Sequence, residues 1–341
     1  MILRGLTPRR LATAGLVLLV AVFLVLLFKK SDKFLEVPDK AHALSGIVSV
    51  SGGTRRPDGG GIYYVDVLVQ RASLLQAALP FTRPDGSDLI PSSAFVPSGL
   101  TFEQQIKLEA ETMKVSQEKA SVVALRALGY KVPARDAGVR VVDVEPQSNA
   151  HGVLKPQDVV VGADGHTVRN QADLFGVLMR HQVGDVVRIT VLRGKERLTF
   201  RIKTIADDRD PRRAIIGFIP FEMVDAKLPF PVRFHLKQDV GGPSAGLAFA
   251  LEVLEERGRD VDHGLKIAAT GEIGLDGSVG SIGGVKQKTI GARQAHVDAF
   301  LVPVDGDNAK VAKRYARGLR IIPVKTFQQA LRALATLGRK A

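Results

Sequence analysis

The fold is decided by two stretches in the last third of the chain, GGPSAG at residues 241–246 and TGEIGLDGSVGSIGGVKQK at residues 270–288. In both stretches, glycines and small residues lead directly into a predicted helix. The strand VRFHL precedes the first stretch, and predicted strands and helices alternate from there to the C-terminus. This alternation predicts an α/β layered domain over the last third of the chain.

Ser244 lies where the GGPSAG loop meets the predicted helix. A serine at a helix start is usually a cap, because its hydroxyl accepts a hydrogen bond from an otherwise unpaired amide. Gly242, Pro243 and Gly246 are small enough to let another backbone approach closely, and helix-start amides can stabilise an oxyanion. These are the requirements of acyl transfer. Ser244 is therefore a candidate nucleophile, with the helix cap as the alternative.

A serine nucleophile needs a base, and three residues are candidates. Lys286 follows Ser244 by 42 positions (286 minus 244), and Lys288 is its natural rival. A lysine has an ordinary pKa of about 10.4 and becomes a base only if burial or a helix dipole lowers it. Two positions on a helix differ by about 200°, so the two lysines cannot both face the serine. His235, on the strand VRFHL, is the third candidate.

Together with VDAFLVP at residues 297–303, these stretches resemble the proteolytic domain of Lon-type proteases. The resemblance implies a catalytic dyad of Ser244, from the PSAG motif, and Lys286, the first lysine after the IGG motif. It also implies that the domain assembles into a homo-oligomer, a hexameric ring. The residues expected to support the dyad are Thr270 of the TGE motif, Gly242, Pro243 and Gly246.

A compact β-rich unit is predicted between residues 131 and 206, with short strands, one helix and a hairpin turned at Arg193 and Gly194. Its KPQDVVVGADG stretch resembles the bacterial form of the PDZ domain, with Gln157 in place of the usual glycine. PDZ domains bind chain termini or extended segments by adding a strand to a sheet edge. The resemblance implies a carboxylate-binding loop before the first strand, formed by Ala137, Gly138 and Val139.

The first part of the chain resembles the opening of the same protease domain. Residues 46–50 and 62–69 are predicted strands of a hairpin with a glycine-rich turn, and residues 80–99 are a predicted surface loop. A helix is predicted from Thr101 to Leu128, with Gly129 where it stops. We therefore expect an α+β and α/β multidomain chain in which a PDZ-like domain is inserted into a Lon-like protease domain. The predicted units are a tail and transmembrane helix at 1–33, the first part of the protease domain at 34–130, the PDZ-like domain at 131–206 and the main part of the protease domain at 207–341.

Residues Leu11 to Phe28 form an uncharged apolar run that is just long enough to cross a bilayer if flanking side chains snorkel. A cleaved signal peptide is the alternative, but this apolar core is long for one and no small-x-small cleavage site follows it. The basic residues on the two sides nearly balance, so the positive-inside rule does not orient the span. The resemblance to bacterial membrane-anchored PDZ and Lon-domain proteins implies a single-pass membrane protein with an extracytoplasmic catalytic domain.

Composition excludes several classes of function. The chain has no cysteine, which rules out disulfides, thiol catalysis and Cys-ligated metals. Its net charge of +13 comes from scattered basic residues without tryptophan, a pattern that favours anionic lipid over nucleic acid as the partner. No GxxxxGK[ST] loop or HExxH motif occurs, so we expect neither ATP use nor a metal, and no cofactor.

The sequence therefore predicts an ATP-independent, membrane-anchored serine endopeptidase that cleaves unfolded or flexible protein segments. The PDZ-like domain is expected to bind a substrate or a regulator. The alternative is a non-catalytic membrane scaffold that binds peptides through the PDZ-like domain. The expected partners are protein or peptide substrates and the lipid bilayer.

Overall fold

The computed structural model of the chain describes residues 8–54, 59–96, 100–207, 210–236 and 241–338. The helices are α1 Pro8–Phe28, α2 Leu74–Ala78, α3 Ser92–Phe95, α4 Phe102–Ala127, α5 Gln171–Leu178, α6 Gly246–Glu256, α7 Val285–Gln294, α8 Asn308–Tyr315 and α9 Phe327–Ala335. The strands of the first half are β1 Lys30–Pro38, β2 His42–Ala43, β3 Val48–Val50, β4 Gly61–Tyr64, β5 Val67–Ser73, β6 Asp88–Pro91, β7 Ala134–Val144, β8 Val159–Ala163 and β9 His166–Thr167. Those of the second half are β10 Val186–Arg193, β11 Glu196–Lys203, β12 Ile205–Ala206, β13 Ala214–Ile215, β14 Phe218–Ala226, β15 Val232–Phe234, β16 Lys266–Ala269, β17 Glu272–Ile273, β18 Val279–Gly280, β19 Ala299–Pro303 and β20 Arg320–Val324.

Helix α1 contains the predicted apolar run, Leu11–Phe28, and its side chains are almost all exposed. By length and composition, it is the one described helix that meets the requirements for crossing a membrane. A signal sequence near the N-terminus meets the same requirements. Strand β1 begins two residues after the helix ends.

A three-stranded antiparallel sheet, in the order β5-β1-β6, follows the apolar helix. It corrects the prediction that residues 80–99 form only a surface loop. Within that segment, Pro80–Thr82 is a short 3-10 helix, β6 pairs with β1, and α3 follows directly. Pro80 begins the 3-10 helix and Pro91 ends β6, where a missing N–H costs little, and residues 97–99 lie outside the described residues.

The main α/β sheet has the strand order β2-β4-β16-β19-β20, in which the last four strands are parallel. Strand β4, from the first part of the chain, lies between β2 and β16 and places Ile62 beside Ile267. Chain segments from both sides of the β-rich unit therefore build one domain. The predicted mixed α/β multidomain fold is confirmed.

The predicted hairpin of residues 46–50 and 62–69 is wrong. Strand β3 pairs with β15, and β4 pairs with β2 and β16. The alternating run IYYVDVLV is split between two sheets, because β4 ends at Tyr64 and β5 begins at Val67. Glycine-rich turns favour hairpins, but here the pairing of distant strands determines the arrangement.

Helix α4 confirms the predicted long helix. Thr101 caps it through a reciprocal pair of hydrogen bonds with Gln104, and Gly129 follows it with a φ of 91°. The second half of α4 is buried against α6, and Leu125 and Phe249 are among the fully buried side chains of this core. At its start, Phe102 stacks on Phe34 of β1 with ring centroids 5.4 Å apart, so α4 reaches from the sheet of β1 to the helix that follows Ser244.

The β-rich unit contains a sheet in the order β11-β10-β8-β7-β14, to which β9 is added, with its own core beneath α5. Strand β14 lies beyond residue 206, where the sequence predicts the end of this domain. It pairs with β7 from Phe218 to Ala226 and forms one edge of the sheet. The unit therefore includes a strand from the connection back to the protease domain.

Candidate active site

Ser244 lies in the 3-10 helix Pro243–Ala245, which runs directly into α6. Neither helix has a side-chain cap, so the hydroxyl of Ser244 does not act as one. Gly242 precedes it with a φ of 85°, a conformation that residues with a Cβ rarely adopt. The local backbone presents the serine at a helix N-terminus with its hydroxyl available.

Several hydrogen bonds hold the backbone around the serine. The carbonyl of Ser244 accepts from Oγ1 of Thr270 at 3.0 Å and from the amide of Gly271 at 2.8 Å. The carbonyl of Pro243 accepts from Oγ of Ser116 at 2.9 Å. A Cβ on Gly246 would lie 2.8 Å from Ile273, so only glycine fits there. Thr270 thus contacts the main chain of the serine, next to its side chain.

Lys288 is the lysine that reaches the serine. Its Nζ donates a hydrogen bond of 2.8 Å to Oγ of Ser244, and the lysine is only 4% exposed. Burial lowers the pKa of Lys288 from its ordinary value of 10.5 to about 8, although the nearby carboxylates of Asp66, Glu36 and Glu109 raise it. A neutral amine is therefore accessible near physiological pH, as a general base requires.

The predicted pairing of Ser244 with Lys286 is contradicted by this arrangement. Nζ of Lys286 donates to Oδ1 of Asp88 at 2.6 Å and lies 5.8 Å from the ring of Tyr315. Asp88 belongs to β6 and also accepts from Nε2 of Gln287 at 2.8 Å. The two lysines point in different directions because they are about 200° apart on α7.

A pattern in the sequence of α7 indicates the correct lysine. Val285, Lys288, Thr289 and Ala292 follow the i, i+3, i+4, i+7 spacing of a single helical face, and all four are buried. Lys286 falls outside this face. A lysine on the buried stripe of an amphipathic helix needs a partner, and here the partner is the serine hydroxyl.

The dyad opens into a cleft with a volume of about 560 Å³. Its apolar lining includes Val69, Phe95 and Ile106, which come from β5, α3 and α4, respectively. Its acidic lining consists of Glu36, Asp39, Asp66, Glu109 and Glu272. Burial raises the pKa of Glu36, Asp66, Glu109 and Glu272.

Two groups of side chains among the described residues have a spacing that a metal ion could bridge. One is Asp39, His42 and Asp66 beside the cleft, where Nε2 of His42 already lies 3.3 Å from Oδ2 of Asp39. The second is Glu255, Asp260 and Asp262. Oε1 of Glu255 accepts from the amides of Val261 and Asp262, so this group stabilises a loop.

His235, the third candidate base, lies just after β15 and is exposed. Its Nε2 is 3.5 Å from Oγ of Ser49. The hydroxyl of Ser244 is bonded to Lys288, so the histidine has no role in this dyad.

The predicted carboxylate-binding loop at Ala137, Gly138 and Val139 is also contradicted. These residues lie inside β7, and Val139 is paired with Val160 of β8 on one side and with Glu222 of β14 on the other. A Cβ on Gly138 would lie 2.9 Å from the carbonyl oxygen of Val160. Their backbone is therefore enclosed within the sheet.

Strand β14 is one edge of this sheet, and β11 is the opposite edge. A cavity of about 260 Å³ lies between the start of this strand and helix α5. Leu174, Phe175 and Leu178 of α5 line it. The guanidinium of Arg213 also lines it and lies 5.2 Å from the ring of Phe175. Sequence reasoning missed this edge because β14 lies after the predicted end of the domain.

A buried ion pair joins the β-rich unit to the protease domain. Nζ of Lys119 in α4 lies 2.6 Å from Oε2 of Glu222 in β14, with side chains that are 6% and 14% exposed. Both side chains line a cavity of about 220 Å³, and Glu272, two positions after Thr270, lines it as well. Helix α4 therefore contacts the nucleophile loop through Ser116 and the PDZ-like edge strand through Lys119, one turn further on.

Comparison with known proteins identifies both units. Residues 126–204 match the PDZ domain, and residues 236–336 match the Lon protease (S16) C-terminal proteolytic domain. The Lon protease of Chloroflexus aggregans is 26% identical over 265 residues, covering 69% of this chain and 31% of that protein. The Lon protease of Mycoplasma pneumoniae is 41% identical over 260 residues, covering 65% of this chain and 31% of that protein.

The chain thus carries a PDZ domain and a Lon-type proteolytic domain, which is a serine peptidase domain. It spans about a third of the length of the Lon proteases that it resembles (31%). Among solved structures, the PDZ domain of the SdrC-like protein Lmo2051 from Listeria monocytogenes is 26% identical, with a TM-score of 0.23. That match covers 25% of this chain and 87% of the Listeria chain.

Proposed function

We propose that this chain is a serine endopeptidase in which Ser244 is the nucleophile and Lys288 is the general base. The observation that carries the proposal is the hydrogen bond of 2.8 Å between a buried lysine and a serine hydroxyl at a helix start. Burial lowers the pKa of this lysine to about 8, so a useful fraction of it is neutral near pH 7.

The reaction begins when Oγ of Ser244 attacks the carbonyl carbon of a peptide bond while Nζ of Lys288 takes the hydroxyl proton. Main-chain amides at the start of the helix that contains Ser244 stabilise the oxyanion. Lys288 then donates its proton to the leaving amine as the C–N bond breaks, which leaves an acyl ester on Ser244. Water, deprotonated by Lys288, hydrolyses the ester and restores both groups.

The proposed activity is tested with the full chain in lipid nanodiscs. A small uncharged fluorophosphonate should label the protein, and mass spectrometry should map the adduct to Ser244. Ser244→Ala should lose both the label and the cleavage of casein. A folded, unmodified protein that neither takes the label nor cleaves casein would favour the non-catalytic scaffold.

We propose that cleavage requires no ATP and acts on unfolded or flexible segments. The sequence contains no GxxxxGK[ST] loop, so this chain offers no such site for nucleotide phosphates. The cleft of about 560 Å³ accepts an extended segment rather than a folded domain. Casein cleavage that is equal with and without ATP supports this, whereas cleavage that depends on ATP contradicts it.

We propose that the PDZ domain recruits a peptide segment to the edge of β14. An extended peptide would extend the sheet and place an apolar side chain in the cavity beside Phe175, and a terminal carboxylate would compete with Asp207 for Arg213. Fluorescence anisotropy with a peptide ending in a free carboxylate, and with its amidated form, measures this binding. Phe175→Ala should weaken it, while Met179→Ala, an exposed residue at the end of the same helix, should not.

We propose that Leu11–Phe28 anchors the chain in the membrane with the catalytic domain on the extracytoplasmic side, and that the protease domain forms a hexameric ring. The apolar helix supports the anchor, while the side of the membrane and the ring rest on resemblance. Protease protection in spheroplasts tests the topology, and light scattering of the detergent-solubilised chain tests the ring. A protected domain or a monomer contradicts the respective proposal.

A further inference from the structure

An exposed apolar patch lies beside the end of the proposed anchor. Phe81 is 83% exposed, the highest value among the large apolar side chains that the structure describes, and Leu79, two positions before it, is also exposed. Single exposed apolar residues are ordinary on a protein surface. This patch differs from such residues because it lies beside the end of the apolar helix α1.

Hydrogen bonds fix helix α2 at the boundary where α1 ends. The amide of Leu74 donates to the carbonyl of Lys29 at 2.9 Å, and the amide of Lys29 donates to the carbonyl of Val25 at 2.9 Å. Ser73 caps α2 in a reciprocal pair with Gln76, and α2 packs against α1. The start of α2 is therefore tied to the last turn of the apolar helix.

The turn that carries Phe81 is folded back onto α2. Oγ1 of Thr82 donates to the carbonyl of Leu79 at 2.7 Å, and Nε of Arg83 donates to the carbonyl of Gln76 at 2.7 Å. Phe81 lies between Leu79 and Thr82, which the first of these hydrogen bonds joins. The hydrogen-bonded turn therefore holds the side chain of Phe81 in its exposed position.

The charges near the patch suit a membrane surface. Lys29, Lys30 and Lys33 follow the apolar helix and are all exposed. Each basic residue close to an anionic leaflet contributes about 1 kcal/mol of attraction. Segments that lie in the membrane interface combine Lys and Arg with Trp, Phe or Leu side chains that enter the boundary between headgroups and acyl chains.

We propose that residues 74–82 form a second membrane contact, in which Phe81 and Leu79 enter the headgroup region of the bilayer beside α1. The inference rests on the proposed anchor. The contact restrains the tilt of the catalytic part, because β1 runs from Lys30 at the same boundary to Pro38 near the cleft. At 3.3 Å per residue, Glu36 of the cleft lies roughly 20 Å along this strand from Lys30.

The natural chain contains no tryptophan, so single tryptophans report on depth without background. Three full-length variants are compared in liposomes of phosphatidylcholine and phosphatidylglycerol brominated at shallow or deep acyl positions. They are Phe81→Trp, Leu19→Trp in the middle of the apolar run, and Met179→Trp in the PDZ domain as the exposed control. Met179 is 78% exposed, which matches Phe81.

Phe81→Trp should be quenched more strongly by the shallow bromines, and Leu19→Trp by the deep ones. Met179→Trp should be unaffected and emit as a water-exposed indole. If Leu19→Trp is quenched while Phe81→Trp behaves like Met179→Trp, the second contact is overturned and the anchor stands. If Leu19→Trp is not quenched either, the anchor fails and the inference fails with it.

Discussion

Lys119 of helix α4 and Glu222 of edge strand β14 form an ion pair of 2.6 Å that is almost completely enclosed between the protease and PDZ domains. Burying two charges is costly, and only their close contact offsets the cost. The pair therefore makes the position of β14 relative to α4 sensitive to the loss of either partner.

Removing one partner leaves the other charge buried and unpaired. Lys119→Met and Glu222→Gln should each lower the free energy of unfolding by about 3 to 5 kcal/mol, measured by urea denaturation. The double variant should recover much of the loss. Arg135→Ala is the control, since its ion pair with Asp225 joins β7 to the same strand β14, with side chains that are 79% and 52% exposed. It should cost less than about 1 kcal/mol, and an equal loss in all three single variants would contradict the account.

The pH dependence of cleavage should follow the titration of Lys288. Below about pH 8 the amine carries its proton and cannot accept another, so kcat/KM should rise with pH and level off above that value. Lys288→Arg should be inactive over the whole range, because a guanidinium stays protonated. A profile that falls between pH 7 and 9 in a folded enzyme would exclude this base.

Asp66 raises the pKa of Lys288. Burial lowers this pKa, and among the carboxylates that raise it, Asp66 has the largest effect. Asp66→Asn should therefore lower the pKa of Lys288 and move the rising limb of the pH profile of kcat/KM to lower pH. Asp32→Asn, at an exposed position of β1, should leave the limb in place. A limb that moves to higher pH in Asp66→Asn would contradict this role.

Gly284 allows α7 to start close to β5. Its φ is 65°, and a Cβ would lie 2.6 Å from Cγ2 of Val67. Gly284→Ala should lower the free energy of unfolding by about 2 kcal/mol and reduce kcat, because Lys288 lies one turn further on. Gly283→Ala, where a Cβ would meet nothing within 4 Å, is the control. If both variants denature at the same urea concentration, the close approach is unimportant.

The α/β alternation from Arg233 onward, the long helix that ends before Gly129 and the position of Ser244 at a helix start could all be predicted from the sequence. Each depends on local periodicity or on motifs that keep their meaning in isolation. The pairing of β3 with β15 and the addition of β14 to the PDZ sheet could not, because they join segments far apart in the chain. Register between such strands depends on the packed structure.

The lysine that contacts Ser244 was also difficult to predict from the sequence. Lys286 and Lys288 occupy almost the same position in the sequence, and both follow a glycine-rich helix start. They are distinguished by Asp88, which belongs to a strand about 200 residues away and holds Lys286 (286 minus 88 is 198). The helical face shared by Val285, Lys288 and Ala292 was the available signal.

The most direct test of the Ser244/Lys288 dyad is the rate of casein cleavage by the full chain carrying Lys288→Met or Lys286→Met, with circular dichroism as the check of folding. Loss of the general base should reduce kcat of Lys288→Met by about 10²- to 10⁴-fold. Lys286→Met, which removes the ion pair with Asp88 and the contact with the ring of Tyr315 but no contact with Ser244, should stay within about threefold of the unmodified protein. If Lys286→Met loses activity while folded Lys288→Met retains it, the assignment of the base is wrong.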